Sequence, residues 1–437
     1  MNRRSFCIRK ISDLGRTVIL VFICFIFLYT FIMPGLQVGT FMVVLCFLFF
    51  YATYEFIKGN FNFERLRTTK MVRSYLLWNV FLIIYVFFLL LFFGRGNGTT
   101  PLKDYLQMLI VLPLFYFWGA RVFRNVEDLM KILYLGVIIQ SSIIIVALFS
   151  PTLTIALTLL FPESSSFRDV YGGFEQSIAA GYKVGLGVFS SAGCLKMAVG
   201  QIGACFFLMK SRGGKLFFHL VLYLMISVAA TVVARTGLLI SVAGLISVFI
   251  TKKEEGRYQV IKYIFLFVFL LLICYEIITT YIPTEFLEDV FIRISGTKEN
   301  GIYGSFFEKY LGNRGENVIP PISLETIIGL GITSGTTESG ITTITDGGFM
   351  RNYSSMGIIV AFLNYYIIAS YFMKRFKASK SNIYKNTILF TIIIFIIGEF
   401  KEYFIYYLSP ICFTFLIFNL IERDEKKNMF HPTSNRD

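Results

Sequence analysis

Residues 345–357 read TDGGFMRNYSSMG, and IIVAFLNYYIIASYFM (358–373) follows without a break. The apolar part, with the residues just before it, reaches the roughly 20 residues that a helix needs to cross a bilayer. A membrane span over 354–373 is therefore expected, with Asp346 and Arg351 at its lip. Opposite charges at that place are costly unless the protein uses them. Gly347 and Gly348 allow a sharp turn or a close approach to a ligand. A carboxylate near a helix start also caps it and suits its dipole. Arg351 has no such explanation, because the dipole disfavours a cation there.

The rest of the chain repeats the apolar pattern. The 437 residues are 56% hydrophobic and only 16% charged, with mean hydropathy +0.68. Soluble domains carry about 25% charged residues. Spans are expected near 17–33, 38–57, 75–93, 105–119, 132–149, 191–209, 216–234, 236–250, 263–282, 354–373, 387–399 and 404–421. The fold class is an all-α polytopic membrane protein of about twelve spans, a single transmembrane domain over 1–437. The basic start MNRRSFCIRKISDLGR is followed by no small-residue cleavage site, so it reads as leading into a retained first helix.

The charge pattern orients these spans. Every second connection, starting from the N-terminus, holds three to five Lys or Arg, and together these segments carry 29 of the 41. By the positive-inside rule both termini are cytoplasmic. The net charge of +14 is then mostly a rim facing anionic membrane lipid, and nucleic acid has no support as a partner. Two connections on the opposite side are long, 150–190 and 283–351. Aromatics, glycines and charges alternate in the second, which reads as an ordered cap. The seven cysteines lie in spans or at the N-terminus, and the two histidines, His219 and His431, are isolated. No disulfide framework, metal motif or cofactor site is expected.

Three charged groups exceed what span ends require. Arg235, in VAATVVARTGLLISVAGLIS (228–247), is the sole charge between Lys215 and Lys252. Glu399, Lys401 and Glu402 crowd GEFKEYFIYY (398–407), the last turn on the non-cytoplasmic side. Asp346 and Arg351 are the third group. Arg168, Lys183, Lys196, Arg293 and Arg314 read as charges facing the same outer side, most of them solvated. One or two could line a groove for an anionic, sugar-bearing substrate, because arginine grips phosphate bidentately and aromatics stack on sugars.

Twelve spans, two dominant outer loops, ARTGLL, TDGGFMRNYSSMG and GEFKEYF together resemble the Wzy-type O-antigen polymerases. The resemblance implies a metal-independent glycosyltransferase in the bacterial inner membrane, similar to other multi-span enzymes that use lipid-linked sugars. It would join undecaprenyl-diphosphate-linked oligosaccharide units into O-antigen or capsular polysaccharide at the periplasmic face. A chain-length regulator is the implied partner. Asp346, Glu399 or Glu402 would take the proton of the acceptor hydroxyl. Arg235, Arg351, Lys401, Arg168, Arg314 and Tyr353 would hold the diphosphate and sugar. The alternatives are a flippase for the same lipid-linked units, disfavoured by the long 283–351 loop, and an O-antigen ligase, disfavoured because that loop has no histidine.

Overall fold

A computed structural model describes residues 3–31, 39–59, 70–92, 100–150, 153, 156–157, 186, 191–234, 236–266, 324–333, 335–336, 342–343 and 347–430. They are almost wholly helical. In chain order the helices are α1 (Arg3–Tyr29), α2 (Thr40–Ile57), α3 (Lys70–Phe92), α4 (Leu102–Val122), α5 (Val126–Phe149) and α6 (Ser191–Lys210). They continue with α7 (Gly213–Val233), α8 (Thr236–Thr251), the short α9 (Leu324–Ile328), α10 (Gly348–Ala378), α11 (Asn382–Lys401) and α12 (Leu408–Phe430). The one strand pairing among the described residues is antiparallel, Gly335–Thr336 with Thr342–Thr343.

Eight of the described helices are long and apolar enough to cross a membrane. The chain is a multi-pass membrane protein. Eleven of the expected spans fall on described helices; the one near 263–282 lies, beyond residue 266, outside the described residues. Most of both long connections lies outside them too. Part of the second does not: it contains α9, and α10 begins inside it at Gly348.

The chain forms two compact units. In the first, spanning 1–53, 121–264 and 426–437, α6 is the central helix and packs on α1, α5, α7 and α8. Its sequence, SAGCLKMAVGQIGACFFLMK, explains why. A Cβ at Gly200 would lie 2.3 Å from the Val137 Cβ, and one at Gly203 would lie 2.5 Å from the Met130 carbonyl. Small residues let membrane helices pack backbone to backbone, where dispersion replaces the missing hydrophobic drive. Polar stitches add direction: the Tyr223 hydroxyl donates to the Ser241 carbonyl at 2.7 Å, and Gln201 Nε2 to Ser241 Oγ at 3.1 Å. At one end Arg16 Nη2 donates to Asp128 Oδ2 at 2.6 Å and to the Val122 carbonyl at 2.7 Å, while Asn125 caps α5 through the Asp128 amide.

In the second unit, spanning 54–120 and 265–425, α12 is the buried axis. Tyr75 and Phe115 pack on its Phe415 and Phe413 at ring distances of 5.0 Å, and Phe372 packs on Phe418 at 5.2 Å. Arg423 Nη1 donates to the Ala120 carbonyl at 2.8 Å, Arg375 pairs with Glu422, and Glu425 accepts from Ser379 Oγ at 2.7 Å.

The decisive feature of this unit is a break in α10. Gly357 has φ 74° and ψ 166°, which no helix accommodates. Residues 358–378 form a 21-residue span, about 31 Å at 1.5 Å per residue and so matched to a bilayer core. Residues 348–356 form a separate short helix. The break is filled by chain: Leu330 N donates to the Ser354 carbonyl at 2.8 Å, and Gly331 N to the Ser355 carbonyl at 3.0 Å. The Tyr85 hydroxyl in turn donates to the Ile328 carbonyl at 2.5 Å. Irregular backbone within a membrane protein survives only where such partners satisfy it.

Candidate functional site

The short helix does not continue the line of the span. Asn352 and Tyr365 are 13 residues apart on α10, which is about 20 Å along a straight helix. Yet Asn352 Nδ2 donates to the Tyr365 hydroxyl, and the Phe349 and Tyr365 rings lie 4.9 Å apart. The break at Gly357 therefore folds 348–356 back against the span that follows it.

This fold-back brings the first turn of the short helix onto the end of α11. A Cβ at Gly348 would lie 2.2 Å from Glu399 Oε2 and 2.5 Å from the Glu402 carbonyl oxygen. Only glycine fits there. The Glu399 carboxylate thus sits against a helix N-terminus, whose dipole favours an anion.

Glu399 is 3% exposed, and both of its oxygens are occupied. The Tyr365 hydroxyl donates to Oε2 at 2.7 Å, and the Ile405 amide donates to Oε1. Asn352, Tyr365 and Glu399 form a continuous buried relay from α10 to α11 and into the turn after it. Beside the relay, the Tyr105 and Tyr403 hydroxyls are 3.2 Å apart, and the Tyr105 and Tyr406 rings 4.8 Å. Asn364 Nδ2 donates to the Tyr406 hydroxyl at 2.8 Å and accepts from Trp78 Nε1 at 2.8 Å. Buried polar groups need such partners, so the network holds the turn after α11 in one shape.

Three charged groups lie at its rim. Arg351, Asp104 and Glu402 are half-buried. The Arg351 charge acts on Asp104, Glu399 and the Tyr407 hydroxyl, which itself donates to Glu402 Oε2 at 3.1 Å. Arg351 thus lies within electrostatic reach of Asp104 and of the Glu399 relay, and Tyr407 connects it to Glu402. Such a set can neutralise an anionic group and accept a proton from a hydroxyl nearby. Two polar atoms on the short helix, Asn352 Oδ1 and Ser354 Oγ, are buried with no hydrogen-bond partner.

Of the residues expected from the sequence, Arg351, Glu399 and Glu402 come together here. Lys401 ends α11 and is half-buried, and Tyr353 is half-buried on the short helix. Asp346, Arg235, Arg168 and Arg314 lie outside the described residues, as do Lys183 and Arg293. Lys196 is not among the solvated outer charges: it is 8% exposed on α6, the central helix of the first unit.

Sequence reasoning missed Asn352, Tyr365, Tyr105 and Asp104. The polar LNYY inside the apolar run 358–373 was the available signal for Tyr365. Nothing in the spacing ties Asn352 to it, because their contact exists only through the break at Gly357. No known protein family, curated protein or solved structure matches the chain.

Proposed function

We propose that the protein is a polysaccharide polymerase of the Wzy type, joining lipid-diphosphate-linked oligosaccharide units on the outer side of the bacterial inner membrane. The observation that carries the reading is the Arg351–Glu402–Asp104 rim built on a folded-back helix in a multi-pass membrane protein. The topology assigned from Lys and Arg counts, with both termini cytoplasmic and about twelve spans, would set this rim at the periplasmic face.

The acceptor sugar's hydroxyl oxygen attacks the anomeric carbon of the donor. A new glycosidic C–O bond forms, and the bond to the diphosphate breaks. The electron pair leaves with the diphosphate, whose growing charge is met by Arg351, rigid and permanently ionised. The proton released from the acceptor passes to a carboxylate. Glu402 and Asp104 are accessible for this, and Asp346 remains a candidate from its place in the sequence. Glu399, with both oxygens already taken, is a positioning residue.

Arg351→Ala is expected to abolish long chains while leaving the protein in the membrane at its normal level. An Arg351→Ala strain with chains of wild-type length would end the assignment of this rim.

A further inference from the structure

Lys196 lies in the interior of the first unit, and its Nζ donates to Thr30 Oγ1 at 2.7 Å. No acidic partner faces it among the described residues. Among the described residues this neutral hydroxyl is its one hydrogen-bond partner, and an ammonium so placed inside a membrane protein is costly, which makes it a functional candidate. Its surroundings show what it would bind.

The level of Lys196 in the unit follows from helix register. The helices α5 and α6 run antiparallel, with Gly203 against Met130 and Tyr134, and Gly200 against Val137. Continued along both helices, Lys196 is level with Gln140 and Ser141. Arg16 on Asp128 sets the level of α1 against α5, and the Lys196–Thr30 bond gives the parallel direction. Fourteen residues further on, Thr30 is level with Ser142. The Lys196–Thr30 bond agrees with this spacing.

One level of the first unit therefore holds Lys196, Tyr29, Thr30, Gln140 and Ser141. Three of its buried atoms have no hydrogen-bond partner: Tyr29 Oη, Ser141 Oγ and Gln140 Oε1. Two are hydroxyls able to donate, and the third can accept from a bound water or hydroxyl. Lys196 is five residues into α6, about 8 Å from its N-terminus, so the positive end of the helix dipole adds to its charge. The parallel helix α8 agrees: Gln201 pairs with Ser241, which brings the start of α8, Thr236, level with Lys196.

We propose that this level is an anion site, in which Lys196, Tyr29 and Ser141 bind a phosphate or diphosphate group. It requires only a phosphate-bearing ligand and stands without the polymerase reading. If that reading holds, the site supplies a second lipid-diphosphate position alongside Arg351, as a reaction between two such substrates needs.

The test uses the full chain purified in detergent, carrying Arg351→Ala so that the other candidate site is silent. Thermal protection is titrated with inorganic pyrophosphate, and the protein is then compared in nanodiscs with and without phosphatidylglycerol. Lys196→Met is expected to raise the half-effective pyrophosphate concentration at least about tenfold, the value of one charge-assisted hydrogen bond. Lys196→Arg is expected to keep most of the binding. Protection by phosphatidylglycerol that also depends on Lys196 assigns the site to lipid headgroups, whereas dependence with pyrophosphate alone assigns it to a diphosphate substrate. Equal protection of the Lys196→Met and parent proteins overturns the proposal. If Lys196→Met does not fold, Ser141→Ala keeps the charge and removes a proposed donor; unchanged protection in that variant overturns the proposal as well.

Discussion

Tyr365 shows how a single side chain fixes the candidate site. Its hydroxyl accepts from Asn352 and donates to Glu399, so one oxygen joins the folded-back helix to α11. Tyr365→Phe leaves a buried carboxylate and a buried amide each short of a partner. The expected loss is about 1–3 kcal/mol, the usual cost of orphaned buried polar groups, read as a lower melting temperature in detergent. The same variant should lower activity by disturbing Arg351, which directly precedes the relay's Asn352 on the short helix. Glu399 was legible as an unusual charge in GEFKEYFIYY, but its role was not. A sequence shows that a carboxylate is present near a span end; it does not show that both oxygens are already occupied. The burial of Lys196 was not legible either: five residues from a helix start, a lysine in SAGCLKMAVG looks like an interfacial charge until the packing of α6 against its neighbours is known.

At the scale of the element, α10 carries the argument. Periodicity and length identified a span at 354–373, and the structure's 358–378 overlaps it closely. The break itself was not legible, since SSMGII contains no proline and a glycine in a membrane helix is common. What creates it is tertiary: the chain at 327–331 occupies the space where a continuous helix would run. Gly357→Ala should therefore be severe. Its φ of 74° alone costs a residue with a Cβ about 1–3 kcal/mol, and that Cβ would meet the Ile327 carbonyl at 2.2 Å. The expected outcome is a protein that inserts but melts at a markedly lower temperature.

A second element-scale consequence concerns the junction after α8. Lys252 donates to the Ser211 carbonyl, and burial together with the Arg212 charge pushes its pKa down to about 8. An unfolded lysine titrates near 10.4. Between those values the unfolded chain binds more protons than the folded one, so stability gains with rising pH through that window and is flat below about pH 8 from this group. The melting temperature of the wild-type protein should rise between pH 8 and 10 relative to Lys252→Met, with circular dichroism as the readout.

At the scale of the whole molecule, composition decided the class, and the described helices agree with it because each span is set by its own local apolar length. The two units were not legible. They are interleaved in sequence, with α1, most of α2 and α5–α8 in one and α3, α9–α11 and most of α4 and α12 in the other, and no linker or change of composition separates them. Each has its own polar centre: the Arg351 rim with the Glu399 relay in the second, the Lys196 level in the first. The proposed reaction between two lipid-diphosphate substrates would give both a use. The most direct test is a lipopolysaccharide gel from a strain lacking the gene, with and without its restoration. The account predicts that cores bearing a single repeat persist while the ladder above them disappears, and that restoration returns the ladder. A ladder unchanged by the deletion would contradict it, and loss of every repeat from the core would assign the protein to an earlier or later step.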